Sequence, residues 1–341
     1  MSHIKQVGFT LIELMIALAL GLVIVAAATM LFLTSSRSQA LQQGQLSLQD
    51  DANFGLNYIV KDIRLGNLNT INSSINDLTT YGGIVFRSSE NSVEVSGVER
   101  ANIPISIVGK TVNETLLTRS DGLEVGTLPQ WTGVSNVQDR SSDQLTIQFV
   151  PQYVLDHKNT ANENDDVWYG GSDCEGTELE FSRTEGRQVI VQRYFLRPDN
   201  NNSKNEPNTP LALACDAGHY PLEGSPNEIT GLGDDGEIIL QRVDHFRVLY
   251  SIQSGENHRY VDTATYMAMA SRPRILAVQL GVLARSNQSV GTGTEFSDSQ
   301  VFRVLDQDVT VTKPIGNSSK YARQVVTQTI ALRNAFGERG Q

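Results

Sequence analysis

The apolar residues of the chain are concentrated near its N-terminus. The stretch Phe9–Leu33 is almost wholly apolar, and polar side chains interrupt it only at Thr10, Glu13 and Thr29. No charged residue occurs between Glu13 and Arg37. Because a helix needs roughly 20 apolar residues to cross a bilayer, this stretch predicts a membrane-spanning helix over residues 9–33.

The helical pattern continues beyond the apolar stretch. Residues 34–66 contain no Pro, and their apolar positions recur at a spacing that places them on one helix face: Leu41, Leu48, Ala52, Leu56, Ile59 and Ile63. This pattern predicts an amphipathic continuation whose apolar face packs against a sheet and which stops near Gly66-Asn67. A continuous helix over residues 9–66 would be about 85 Å long.

The remainder, residues 67–341, is predicted to be a β-rich globular domain, so the fold class is α+β. Runs of β-branched and aromatic residues bounded by turn formers indicate strands, and Thr184–Arg187 indicates a hairpin turn. Whether these strands form one sheet or two stays open. The predicted strands are 92–98, 144–150, 178–183, 188–196, 238–253, 275–285, 300–311 and 326–332, and the long polar loops are 157–171 and 198–210.

Composition and motifs give little support for catalysis. A formal net charge of -11 argues against a surface that binds nucleic acid through its phosphates. No H-E-x-x-H, P-loop or nucleophile-elbow sequence occurs, so no catalytic residue, metal ligand or cofactor is predicted. Residues 231–236 match G-x-G-x-x-G by letter, but a strand is expected to follow them, which indicates a turn. The oxygen-rich loop at 156–166 lacks EF-hand spacing, and calcium binding by a loop stays open.

Three interpretations of the N-terminus compete. A secretory signal peptide would use Lys5 and a cleavage site at 26–28, a plain anchor would stay uncut, and a prepilin would be cut before the apolar stretch. Glu13 distinguishes them, because a carboxylate within an apolar segment costs on the order of 3 kcal/mol and needs a cation. A cut after Gly8 frees such a cation, the α-amino group of Phe9, and Glu13 of a neighbouring subunit would then set the register of assembly.

The string Gly8-Phe9-Thr10-Leu11-Ile12-Glu13 resembles the type IV prepilin cleavage motif. The resemblance implies that residues 1–8 are a leader peptide, that a prepilin peptidase cuts between Gly8 and Phe9, and that Phe9 is N-methylated. It also implies that Glu13, the fifth mature residue, carries the assembly charge.

The rest of the chain resembles the PilW-type minor pilins, which are related to the J-type pseudopilins of type II secretion. The matching stretches are 172–176, 191–196, 211–216, 243–250, 275–286 and 330–334. The resemblance implies a non-enzymatic subunit that primes pilus assembly, sits at or near the filament tip, and supports twitching motility, adhesion or DNA uptake. Its implied partners are the inner membrane, the prepilin peptidase, the major pilin, other minor pilins and a tip adhesin.

Three alternatives are kept: a J-type pseudopilin, a ligand-binding module displayed on the pilus, and a secreted enzyme behind an ordinary signal peptide. In the pilin interpretation a single N-terminal anchor in the inner membrane places residues 67–341 in the periplasm, and assembly carries them to the cell surface. Disulfides form in the periplasm, so Cys174 and Cys215 are expected to pair. Two unpaired thiols are the alternative.

Overall fold

One long helix forms the N-terminal part of the protein. The computed structural model describes residues 8–104, 112, 114–124, 130–158, 165–201, 206, 208–224, 228–255, 257–290, 299–312 and 320–335. Helix α1 spans Leu11–Ile63 without interruption, as expected for a segment free of Pro. It ends three residues before the predicted stop, at the C-cap Arg64, and the chain then turns at Asn67, whose φ is 65°.

The domain that follows is built mainly from short and medium antiparallel strands. They are β1 (Val93–Val95), β2 (Val98–Arg100), β3 (Leu145–Phe149), β4 (Val154–Asp156), β5 (Val167–Ser172), β6 (Glu178–Ser182), β7 (Gln188–Pro198), β8 (Leu211–Pro221), β9 (Glu237–Gln241), β10 (Val243–Ser254), β11 (Asn257–Val261), β12 (Ile275–Arg285), β13 (Val301–Val304), β14 (Gln307–Thr310) and β15 (Arg323–Ala331). A short helix, α2 (Thr263–Met267), lies between β11 and β12, and 3-10 turns occupy Ser89–Asn91, Glu114–Leu116 and Arg333–Ala335.

Two four-stranded sheets dominate the domain, which answers the question that the sequence left open. Their strand orders are β3-β7-β8-β9 and β11-β10-β12-β15. Three strands form a smaller sheet in the order β4-β5-β6, and β1-β2 and β13-β14 are separate hairpins. The protein is therefore a long apolar N-terminal helix followed by a β-rich domain, as predicted.

Several strand predictions need correction. The predicted strand 238–253 is broken at Arg242, whose φ of 58° separates β9 in one sheet from β10 in the other. The predicted strands 92–98 and 300–311 are hairpins, since each folds back on itself at a residue with positive φ, Ser96 and Leu305 respectively. Residues 184–187 do turn, but β6 pairs with β5 whereas β7 pairs with β3 and β8.

The two predicted polar loops are also partly wrong. Strand β5 begins at Val167, inside the first predicted loop, and residues 159–164 lie outside the described part of the chain. In the second loop Asp199 is buried against Arg242, so this stretch is not simply solvated.

The second half of α1 packs on the domain through the predicted apolar face. Leu41 is half-buried and the other predicted positions are buried: Leu48, Ala52, Leu56, Ile59 and Ile63. This face contacts β9 of one large sheet and β12 and β15 of the other. A Cβ at Gly55 would lie 2.9 Å from Cβ of Leu240, so glycine permits the close approach of helix and strand. Each fully buried Leu or Ile contributes about 1.5–3 kcal/mol.

Candidate assembly helix and its N-terminal cap

The first turn of α1 is closed by a capping box. Thr10 is the N-cap, and its Oγ1 accepts a hydrogen bond from the Glu13 N–H at 3.3 Å. In return, Oε2 of Glu13 accepts from both the N–H and the Oγ1 of Thr10, each at 3.0 Å. The carboxylate therefore satisfies two donors in the isolated subunit, and its charge is favourably placed at the positive end of the helix dipole. The T-x-x-E spacing could have predicted this cap.

The residues around the predicted cleavage site are open. Phe9 is 92% exposed, and a Cβ added to Gly8 would meet no atom within 4 Å. The subunit's own fold therefore leaves the Gly8–Phe9 bond accessible to a peptidase and gives no reason of its own for glycine at position 8.

The apolar half of α1 is uncovered. Its large apolar side chains are all exposed in the isolated subunit. Among the residues that the structure describes, α1 is the one helix long and apolar enough to cross a membrane. An exposed apolar surface of this extent marks a site of interaction with a membrane or with other protein. Further along α1, Leu46 and Phe54 are also exposed, so apolar surface extends past the membrane-spanning stretch.

A buried polar contact fixes the other end of α1 to the domain. Asp62 is buried, and its Oδ2 accepts a hydrogen bond from the Tyr194 hydroxyl at 3.1 Å. That hydroxyl lies 3.0 Å from Oε1 of Gln192. Burial raises the pKa of Asp62 to about 6, although the Tyr194 hydrogen bond opposes the shift. One helical turn earlier, the Tyr58 hydroxyl donates to the carbonyl oxygen of Cys174 at 3.2 Å.

The two cysteines form a disulfide in the structure. Cys174 follows β5 and Cys215 lies within β8, and their Cα atoms are 6.2 Å apart. Both side chains are buried in the main core cluster with Tyr194. The bond therefore joins the three-stranded sheet to a four-stranded sheet beside the end of α1.

Ion pairs of one buried arginine in β10 connect segments that flank other strands of the domain. The Arg247 guanidinium contacts Asp143 at 3.3 Å, Asp262 at 2.9 Å and Asp306 at 2.7 Å. Burial raises the pKa of Asp143 to about 7 despite the arginine. Because several donors hold each of these carboxylates, the cluster is suited to fixing strand positions.

Comparison with known proteins identifies two segments. Residues 194–334 match the family model described as Type IV Pilus-assembly protein W, and residues 5–29 match the prokaryotic N-terminal methylation motif. The cleavage string at 8–13 falls within the second match. Of the stretches that resemble PilW-type proteins, 172–176 lies outside the first match, and 191–196 lies only partly within it.

No curated protein matches the chain. Among solved structures, a type IV-like pilin from Thermus thermophilus is similar, with 12% sequence identity, coverage of 84% of this chain and 97% of that one, and a TM-score of 0.31. The chain carries a prokaryotic N-terminal methylation motif and a domain of the PilW type IV pilus-assembly family.

Proposed function

We propose that the protein is a minor pilin: a non-enzymatic structural subunit that primes assembly of a type IV pilus and sits at or near its tip. The observation that carries the proposal is the uncovered apolar half of α1, with Glu13 in its first turn, continuous with a half that is packed on the PilW-family domain. A helix divided in this way has one half for its own fold and one half for other molecules.

The proposed division of the chain follows from this helix. Residues 1–8 are the leader peptide, 9–33 the membrane and filament-core helix, 34–66 its amphipathic continuation, and 67–341 the periplasmic β-rich domain. The partners are the prepilin peptidase, the inner membrane, the major pilin, other minor pilins and, where the pilus carries one, a tip adhesin. The net charge of -11 disfavours direct binding of nucleic acid.

Processing supplies the cation that Glu13 needs. A cut after Gly8 would leave the α-amino group of Phe9 next to Thr10, and N-methylation would preserve its positive charge. In the isolated subunit Glu13 accepts from two neutral donors of Thr10. Pairing with the amine of a neighbouring subunit would add a charge-assisted hydrogen bond in an apolar bundle, which is stronger than a neutral one. A mismatched register would leave both charges buried and unpaired.

A position at the tip fits the size of the domain that α1 carries. A subunit at the filament end has neighbours on one side, so the rest of its surface stays free for other contacts. From there it would prime polymerisation of the major pilin, and the finished pilus would serve twitching motility, adhesion or DNA uptake.

Replacement of Glu13 tests the assembly mechanism. Glu13→Gln keeps a side-chain oxygen for the capping box but removes the charge, whereas Glu13→Ala removes both. We expect both variants to be cleaved normally and both to be lost from sheared filaments, measured by immunoblot against the wild type. Normal incorporation of Glu13→Gln together with loss of Glu13→Ala would show that capping, and not charge, is required.

The alternative is a J-type pseudopilin, which would share the same helix and cleavage motif. A deletion strain separates the two roles. Loss of surface pili and twitching with normal secretion of type II substrates supports the pilus role. Loss of secretion with normal pili supports the pseudopilin role.

A further inference from the structure

Three carboxylates from separate parts of the chain meet at the surface of the domain. Glu175 lies in the turn after β5, Asp216 in β8, and Asp234 in the loop before β9. One carboxylate oxygen from each lies within 4.8 Å of those of the other two. Like charges placed this close repel one another, so the arrangement calls for a compensating cation.

Two features of the fold hold these carboxylates together, one covalent and one steric. Cys174 and Cys215 immediately precede Glu175 and Asp216, so their disulfide fixes the distance between the two carboxylates. In the loop that carries Asp234, Gly236 has a φ of 59°, and a Cβ at this residue would collide with the carbonyl oxygen of Cys215. The absence of that Cβ lets the loop that carries Asp234 lie directly against β8.

One oxygen of the buried member has no partner. Asp216 is fully buried, and its Oδ2 accepts from Nε of Arg193 at 2.9 Å and from the Gly233 N–H at 3.0 Å. Its Oδ1 is also inaccessible to solvent, and no donor within the described part of the chain reaches it. A buried oxygen without a donor is unfavourable, because it has lost its hydrogen bonds to water without replacing them. Since Oδ2 is fully used, Oδ1 is the atom left for a ligand of this group.

The surroundings leave negative charge in excess. Arg193 pairs with Asp216 at 2.7 Å and also donates to the backbone oxygen of Asp234. Arg197 donates to the backbone oxygen of Gly236 in the same loop at 3.0 Å. Against these two cations stand the three carboxylates and the nearby Asp173 and Asp235. A cation at this place would remove the repulsion.

We propose that Glu175, Asp216 and Asp234 form a calcium-binding site. The available donors are all oxygens, which hard divalent cations prefer, and opposite ligands of Ca²⁺ are about 4.6–5.2 Å apart at its usual bond lengths. The three oxygens therefore fit around one ion. Asp234 is exposed and faces a surface cavity of about 480 Å³ that is also lined by Glu175, Asp235 and Glu237. Water in this cavity completes the coordination shell.

This site differs from the oxygen-rich loop at 156–166 that the sequence indicated. Residues 159–164 of that loop lie outside the described residues. Of its carboxylates, Asp166 is already paired with His157 at 2.9 Å and with Arg183 at 3.4 Å.

Calcium titration of the full-length protein in detergent micelles tests the proposal. The protein is stripped with EDTA, dialysed, and titrated with CaCl₂ by isothermal calorimetry, and Tm is measured with CaCl₂ and with MgCl₂. The wild type is expected to give saturable binding of one Ca²⁺ and a rise in Tm, since a ligand that binds only the native state stabilises it. Absence of heat and of any Tm shift at 10 mM CaCl₂, which is about ten times the Kd of the weakest extracellular calcium modules, would overturn the proposal.

Isosteric variants locate the bound ion. Glu175→Gln and Asp234→Asn keep an oxygen for the Ala217 and Gly236 N–H groups that the carboxylates now accept from, so both are expected to fold. Each should weaken Ca²⁺ binding by about tenfold or more, because affinity follows the charge of the ligands. Glu94→Gln changes the net charge by the same amount at an exposed position of the separate β1-β2 hairpin and should bind Ca²⁺ like the wild type. Equal binding by all three variants would rule out this site.

Discussion

The carboxyl group of Asp62, which anchors the end of α1, should contribute less to the stability of the fold at neutral pH than at acidic pH. Asp62 is buried, and burial is the main cause that raises its pKa from 3.8 to about 6. The folded state therefore binds this proton more tightly than the unfolded state. As pH rises from about 4 to 6 the unfolded chain loses the proton first, and the folded state must then bury the charge.

The size of the effect follows from the pKa difference. Each pKa unit corresponds to about 1.4 kcal/mol, so the ionised Asp62 lowers the free energy of unfolding by about 3 kcal/mol above pH 6. Asp62→Asn removes the charge and leaves Oδ1 to accept from the Tyr194 hydroxyl. It also adds an NH₂ group that needs partners, so we expect a net stabilisation of about 1–3 kcal/mol at pH 7.5.

Denaturant unfolding of the full-length protein in detergent, followed by fluorescence of Trp131 and Trp168, measures this difference. Other buried carboxylates titrate in the same range, so the informative quantity is the difference in unfolding free energy between Asp62→Asn and wild type at pH 7.5 and at pH 4. The stabilisation by Asp62→Asn should be about 2–3 kcal/mol smaller at pH 4 than at pH 7.5. Asp50→Asn, at an exposed position of the same helix, should stay within about 0.5 kcal/mol of wild type at both pH values. A difference for Asp62→Asn that does not change with pH would refute the reasoning.

Three further perturbations test separate parts of the account. Gly8→Ala should block maturation, because the peptidase motif requires glycine at this position although the fold does not. The uncleaved protein would migrate more slowly in gel electrophoresis, and a normal Phe9 N-terminus in the variant would contradict the prediction. Replacement of both Cys174 and Cys215 by Ser should lower the free energy of unfolding by about 3–4 kcal/mol, which is the loop-closure contribution expected for a sequence separation of 41. An unchanged denaturation midpoint would show that the disulfide does not stabilise the fold. Gly236→Ala should destabilise the domain by more than about 1 kcal/mol, because the added Cβ would collide with the Cys215 carbonyl oxygen and the residue has a positive φ. Gly186→Ala has a similar φ but open space around the Cβ, so it measures the effect of backbone strain alone. Equal losses in Tm for the two variants would show that the collision at position 236 makes no contribution.

The helix could be predicted because its signals are local. The apolar stretch at 9–33 and the helical spacing from Leu41 to Ile63 lie within one continuous segment, and both need only neighbouring residues to be read. The same holds for the cap, since the T-x-x-E pattern of Thr10 and Glu13 is complete within four residues.

The strands were harder to predict where tertiary contacts override composition. Strand β8 is rich in Leu and Ala, which are not typical of strands, yet it lies between β7 and β9 and is almost entirely buried. The break at Arg242 depends on a left-handed backbone at a residue other than glycine, which the sequence does not signal.

The acidic group could not be predicted from spacing. Glu175, Asp216 and Asp234 are far apart in sequence, and the disulfide and the sheet register bring them together. The sequence showed Cys174 and Cys215, each followed by an acidic residue, and the glycine-rich turn at 231–236. It did not indicate that these segments lie together in the fold.

Quantitative mass spectrometry of filaments sheared from cells tests the central claim most directly. The account predicts a peptide that begins at N-methylated Phe9, present in the filaments at a small fraction of the amount of the major pilin. A mature N-terminus at Thr29, or a Phe9 N-terminus found in the membrane fraction and absent from filaments, would contradict it.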